Sequence, residues 1–341
     1  MKWIFLAAIA CNAVWTGARA EDAGSVLVSP QAVDTPTLLE TVVVTGRVTG
    51  PGLWQVSRND DHDLWIMGTL NPLPARMEWD SKTVRELVSG ATEVLWTPGY
   101  SVDVKANIFQ QAILGFNYLR AQKNPDGKSL KEVLAPSLYA RWHVVKSIYM
   151  PRNSSVERKR PLVAAQELLD AAIKKAQLSD KPIVYPALQP TIEAAGIRSN
   201  YPKVEIAVTS GAAKAALSDV RRMRLDDAKC LEATLDAIEG DIPRMVANAN
   251  AWAQGEVERI SFASLAKRNS LCSDAMMNAD FSAKYGLPNI QRSIADLWLK
   301  EAESALSRNP VTVAFVPMEQ LVGPNSYLDA LRAKGYTVSG P

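Results

Sequence analysis

The chain has 341 residues, 47% of them hydrophobic, which is enough apolar material for one large core or two small ones. Its 38 Lys+Arg and 36 Asp+Glu nearly cancel, which excludes the basic footprint of a nucleic-acid binder. After residue 20 no apolar run approaches the ~20 residues of a membrane-spanning helix, so a soluble or at most tethered chain without a transmembrane segment is expected.

Residues 1–20 read as a secretory signal peptide. Met1-Lys2 supplies a positive start, Trp3 to Ala10 a short apolar stretch, and Ala18-Arg19-Ala20 a small-x-small cleavage site. The expected location is periplasmic or secreted. The alternative is a lipoprotein anchored through Cys11, since Ala8-Ile9-Ala10-Cys11 loosely resembles a lipoprotein box. Removing the leader takes Lys2 and Arg19 and no acid, which leaves 36 charges of each sign. Local runs such as Arg158-Lys159-Arg160 and Arg221-Arg222-Met223-Arg224 then read as solvated helix faces. Cys11 leaves with the leader, so Cys230 and Cys272 remain as the only pair and are expected to form a structural disulfide. Such a bridge is worth roughly 3–4 kcal/mol through its constraint on the unfolded chain.

Residues 21–50 form a lead-in with little order, apart from a short β segment at Thr41–Gly46. The globular part, 51–341, opens with a hairpin. Leu53–Ser57 alternates, Asn59-Asp60-Asp61 turns, and Leu64–Met67 runs apolar into Gly68-Thr69-Leu70-Asn71 before Pro72 and Pro74 stop the strand. A helix over 81–90 and a buried strand at Val94-Leu95-Trp96 follow. Val102 to Gln122 reads as helical, with apolar residues at Ile108, Ala112 and Gly115-Phe116. Ser129-Leu-Lys-Glu132 is a capping box, Ser137 to Tyr149 a further helix, and Pro161 starts another at a first-turn position. Ile183-Val184-Tyr185 and Val204–Val208 read as strands, Ser218 to Leu306 as helices broken at Gly240, Gly255 and Gly286-Leu287-Pro288. Val311–Val316 is a buried strand, Pro324 starts a helix that Gly335 ends, and Tyr336-Thr337-Val338 is the last strand. Strands interleaved with longer helices predict an α/β fold, a mixed central β-sheet flanked by many helices.

Two stretches carry motifs. One is Gly52-Leu53-Trp54-Gln55-Val56 followed by Leu64-Trp65-Ile66-Met67-Gly68-Thr69-Leu70-Asn71. The other is Val313 to Val316, then Leu321-Val322-Gly323-Pro324 and a helix ending at Gly335-Tyr336. Together they resemble the opening and closing signatures of the TraB/PrgY/GumN family, whose distant relatives include the Tiki proteases, and the resemblance spans 51–338. Lys267-Arg268-Asn269 looks like the family's arginine–asparagine pair.

The resemblance implies a divalent metal held by two histidines, one after each strand. In this chain those positions are Asn71 and Gln320, the glycine before the second is Pro317, and an expected acidic position falls on Thr97. Amide oxygens are weak ligands for zinc or manganese, and carboxamides do not titrate near neutral pH. The positions Gly68, Thr69, Asn71, Arg268, Glu319 and Gln320 are therefore taken as an ancestral site from which the metal grip has been lost. Of the two histidines, His62 is expected in a solvent-exposed turn and His143 on a helix. Asp60-Asp61-His62-Asp63 is read as a turn, where such residues bond locally. No nucleophile elbow, phosphate loop or dinucleotide fingerprint occurs.

Two functional expectations follow. The first is a non-catalytic relative acting by binding in the cell envelope, without a cofactor, toward an envelope protein, a peptide or a polysaccharide-related partner. The alternative is a periplasmic, protease-like hydrolase that still uses a divalent metal, with an altered centre built from Asn71, Glu319, Gln320, Arg268 and Asp61.

Overall fold

The structure, a computed structural model, describes residues 50–58, 61–223, 225–261, 263–276, 284–285, 289–323 and 326–341. The expected leader, the lead-in with its Thr41–Gly46 strand, the Asn59-Asp60 turn and the helix start at Pro324 lie outside the described residues. The described residues begin with β1 (Leu53–Ser57), β2 (Asp63–Thr69), β3 (Leu73–Pro74), α1 (Lys82–Ser89), β4 (Glu93–Leu95), β5 (Gly99–Lys105) and α2 (Ile108–Ala121). They continue through α3 (Leu130–Val133), α4 (Pro136–Tyr149), α5 (Pro161–Lys175), β6 (Leu178–Ser179), α6 (Val184–Ala194), β7 (Arg198–Asn200), β8 (Lys203–Thr209) and α7 (Ser210–Arg222). The last part holds α8 (Ala228–Gly240), α9 (Met245–Ala253), α10 (Ala263–Met276), α11 (Ile290–Arg308), β9 (Val311–Pro317), α12 (Met318–Leu321), α13 (Tyr327–Ala333) and β10 (Thr337–Ser339).

A six-stranded mixed sheet runs in the order β10-β1-β2-β9-β4-β7. β1 is antiparallel to β2 and to β10, while β2, β9, β4 and β7 are mutually parallel. β9 is buried through its middle five residues, as a central parallel strand covered on both faces must be. α1 and α11 pack on it. Trp142, Trp252, Trp298 and Phe315 are the largest fully buried side chains, and Trp298 stacks on Tyr327 at 4.5 Å. α8 and α10 are joined by the expected Cys230–Cys272 disulfide. Among the described residues no helix is long and apolar enough to cross a membrane.

Local chemistry explains most boundaries. Ser129 and Glu132 make the reciprocal capping box, yet α3 lasts only four residues because Pro136 restricts the residue before it. Gly335 ends α13 at φ 88°, with Tyr336 N–H reaching back to the Leu331 carbonyl, an αL closure that suits glycine.

Two expectations about the elements are corrected. Val102 is in a strand, not a helix: β5 pairs in parallel with β8 over seven residues, and helix α2 begins only where Asn107 and Gln110 cap each other. Ile183-Val184-Tyr185 is not a strand but the start of α6, whose Val184, Leu188 and Ile192 are buried one turn apart. The strand is instead β7, Arg198-Ser199-Asn200, made by backbone pairing with β4 and invisible to apolar patterning. β8 is a strand as read, but it lies outside the central sheet.

β5–α2 and β8–α7 form a small two-layer unit on the main body, with α2 packed on α7. Arg160, read from the sequence as part of a solvated face, is instead only 3% exposed and fastens it. Its guanidinium donates to the Ala121 carbonyl at 3.0 Å, to Met223 at 3.1 Å and to Val220, which caps the C-termini of α2 and α7 together. Burial lowers its pKa, and the Asp227 carboxylate opposes that shift.

Candidate functional site

The parallel pairing of β2 with β9 sets Thr69 beside Pro317, and β4 lies on the other side of β9. Asn71, two residues past β2, and Glu319-Gln320, just past β9, therefore leave the sheet at the same carboxyl edge. In open α/β sheets this is the edge where ligands bind. Thr97, two residues past β4, sits there too, and its hydroxyl donates to the Phe315 carbonyl at 2.7 Å, stitching the ends of β4 and β9 together.

The geometry of this edge rests on two buried contacts. The antiparallel pairing of β1 with β2 stops at Met67, and the next carbonyl, Gly68, accepts a 2.7 Å bond from the fully buried Trp252 indole N–H of α9. Trp79 packs on that indole at 5.5 Å. A Cβ on Gly68 would lie 2.5 Å from Met318 Cε and 2.7 Å from its Sδ, so the tip of that side chain would have to move. Met318, 1% exposed, opens α12 and so directly precedes Glu319 and Gln320. The absence of a side chain at Gly68 leaves room for the turn after β9 to fold across the end of β2.

The side chains at this edge are poor in metal-ligating groups. The Asn71 amide donates to the Asp180 carbonyl at 3.2 Å, and the Asn71–Pro72 bond is cis. Gln320 is half-buried. Glu319 is solvent-exposed, and the protein mass around the strand ends nevertheless raises its carboxyl above the usual glutamate range. No group of three or more His, Cys, Asp or Glu side chains among the described residues is placed to hold a metal ion. Two carboxamides, a hydroxyl already committed to a carbonyl and one exposed carboxylate do not fit a transition metal.

Arg268 lies elsewhere, in the helical layer of α5, α8 and α10. It donates to Gln166 and to Asn269, the latter at 3.1 Å, and none of its hydrogen bonds reaches Asn71 or Gln320. Gln166 in turn donates to Asp170 at 2.7 Å. Burial lowers the Arg268 pKa and raises the Asp170 carboxyl, with each charge opposing the other's shift. The Asp180 carboxylate also pushes Asp170 upward. Asp61 is at the opposite end of β2 from Asn71 and cannot share a site with it. His62 is half-buried rather than exposed, with Nδ1 2.7 Å from the Leu306 carbonyl at the end of α11. His143 is exposed on α4, as expected of a helix position.

A feature the sequence did not signal is an aromatic column at the carboxyl ends of β9, β4 and β7. Trp96 stacks on Phe315 at 4.7 Å and on Tyr201 at 5.8 Å, with Tyr185 edge-on at 5.2 Å. The column runs from the core to a surface ring, since Phe315 is 1% and Tyr201 48% exposed. Beside it opens a cleft of about 380 Å³ lined by Tyr185, Gln189, Glu193, Ser199 and Tyr201, among others. The residues come from α6, from β7 and from Tyr201 just after it; α6 and β7 are the two elements misread or missed in sequence.

No curated protein and no solved structure matches the chain. The family model for TraB/PrgY/gumN matches residues 52–340, which is nearly all of the described chain. The strand-end glycine, the converging turns and that match agree, and the chain belongs to the TraB/PrgY/gumN family.

Proposed function

We propose that this protein is a non-catalytic member of its family that acts by binding a partner in the cell envelope, after export from the cytoplasm. One observation carries the reading: the edge where β2, β9 and β4 end presents Asn71, Gln320 and Thr97, with the Asn71 amide already committed to a main-chain carbonyl. These groups donate and accept hydrogen bonds but neither grip a transition metal nor activate water. The adjoining aromatic cleft is the kind of concave surface that holds a peptide or a sugar, and its position on the same edge supports a binding role.

The test is elemental analysis and hydrolysis assays on the oxidised mature protein. No stoichiometric zinc or manganese is expected after incubation and dialysis, and no metal-stimulated cleavage of peptides or esters. Stoichiometric metal, or turnover that depends on it, would overturn the reading. A matched variant, Asn71→His with Gln320→His, is expected to gain zinc affinity, because the two strand ends bring these positions to one edge.

A second reading, a hydrolase with an altered centre, rests on Glu319. Its raised carboxyl at this edge is the property expected of a general acid or base. Under that reading Glu319→Gln abolishes a measurable hydrolysis that Asn71→Ala also reduces.

A further inference from the structure

Helix α2 exposes a large apolar face with no partner in the described fold. Its buried side packs on α7. On the other side Ile108 is 74% exposed, Phe109 79%, Ile113 50%, Phe116 57% and Leu119 57%. At 3.6 residues per turn these five fall within an arc of about 140°. We infer that this face is the docking site for a second copy of the chain, giving a two-fold symmetric dimer.

The area fits. Five aromatic and aliphatic side chains at those exposures present roughly 700 Å², against the ~800 Å² each partner contributes to a standard interface and the ~300–600 Å² of the largest patch on an ordinary monomer.

The pattern is self-complementary. Ile108, Ala112, Gly115 and Leu119 form a seam at i, i+4, i+7 and i+11, bulky at the ends and small in the middle. An isologous interface pairs each residue with its counterpart across the axis. A two-fold axis midway between Ala112 and Gly115 sets Ile108 against the partner's Leu119 and Ala112 against the partner's Gly115. The helices then cross where they are thinnest. Gly115 supports this independently. A Cβ there would meet nothing within 4 Å among the described residues of its own chain, so their packing does not require a residue that weakens the helix by ~1 kcal/mol relative to alanine.

Charge selects this occupant over a lipid surface. Interfacial helices carry Lys and Arg along the polar face, whereas α2 offers Gln110, Gln111 and Asn117 and a single cation, Arg120, stacked over Phe116 at 4.5 Å. The same axis sets Arg120 against the partner's Asn107, so no like charges meet.

The test is sedimentation of the oxidised mature protein across the micromolar range, alone and with anionic vesicles. The wild type is expected to be a reversible dimer that stays off the vesicles. Phe109→Glu with Phe116→Glu should raise the dimer dissociation constant at least ~100-fold, with unchanged far-UV circular dichroism. Gly115→Leu should weaken the dimer while leaving the monomer as stable or more so, since the described residues of its own chain leave space there. A monomeric wild type, a dimer indifferent to the double glutamate variant, or monomers that partition onto vesicles would each overturn the inference.

Discussion

Replacing Trp252 by phenylalanine isolates the contact that holds the candidate site in place. The Trp252 indole N–H is the donor to the Gly68 carbonyl at 2.7 Å, in a fully buried setting, at the point where β1 no longer pairs with β2. Phenylalanine keeps most of the aromatic packing against Trp79 but leaves that carbonyl without its partner. An unpaired buried acceptor costs about 1–3 kcal/mol, and the lost ring atoms add about 1 kcal/mol, so a loss of about 2–4 kcal/mol is expected. Urea unfolding of the oxidised protein, followed by near-ultraviolet circular dichroism, measures it through the shift in midpoint at constant slope. Hydrogen exchange should show faster opening at Leu70 and Asn71 than in the distant α7. A change below about 0.5 kcal/mol would refute the reasoning, because it would mean that water or another donor already satisfies Gly68.

Three further outcomes follow from single sites. Arg160→Met should destabilise the protein by about 2–4 kcal/mol, since three helix-end carbonyls lose one donor and Asp227 loses its counter-charge; exchange protection in α2 and α7 should fall first, and unchanged protection there would contradict the fastening role. Cys272→Ser should lower stability by roughly 4 kcal/mol for a loop of 42 residues, matching the effect of reductant on the wild type within error. For Glu319 the folded-state carboxyl lies above its ordinary range, so the unfolded chain ionises first as pH rises. Its contribution is present below the ordinary glutamate pKa and is lost as pH climbs through the folded value. Glu319→Gln should flatten that part of the stability profile, and an unaltered slope would remove the case for an environment that disfavours the charge.

Much of the fold was legible because the informative residues obey local rules. Hydrophobic alternation placed β1, apolar runs placed β2 and β9, a capping box placed α3 and a first-turn proline placed α5. The errors sit where tertiary pairing overrides local pattern. Val102 and Val104 can serve a helix or a strand, and only β8 decides; Arg198-Ser199-Asn200 has no apolar signal at all and is a strand because β4 is beside it. The site divides the same way. Gly68, Asn71 and Gln320 could be named from the family resemblance. Trp252 is 184 residues from Gly68 in sequence, and nothing local announces its bond.

The sequence by itself determined the chemistry available: carboxamides in place of imidazoles, a balanced charge, two cysteines to bridge, and strands that must be covered on both faces. These are properties of side chains and of short-range periodicity. Only the tertiary structure decided which of them meet. Parallel pairing of β2 with β9 brought Asn71 and Gln320 to one edge, Arg268 was held back in the helical layer by Gln166, and Tyr201 was stacked on Trp96 beside an open cleft. Contacts between residues far apart in the chain depend on strand order and helix packing, and no window of sequence contains that information.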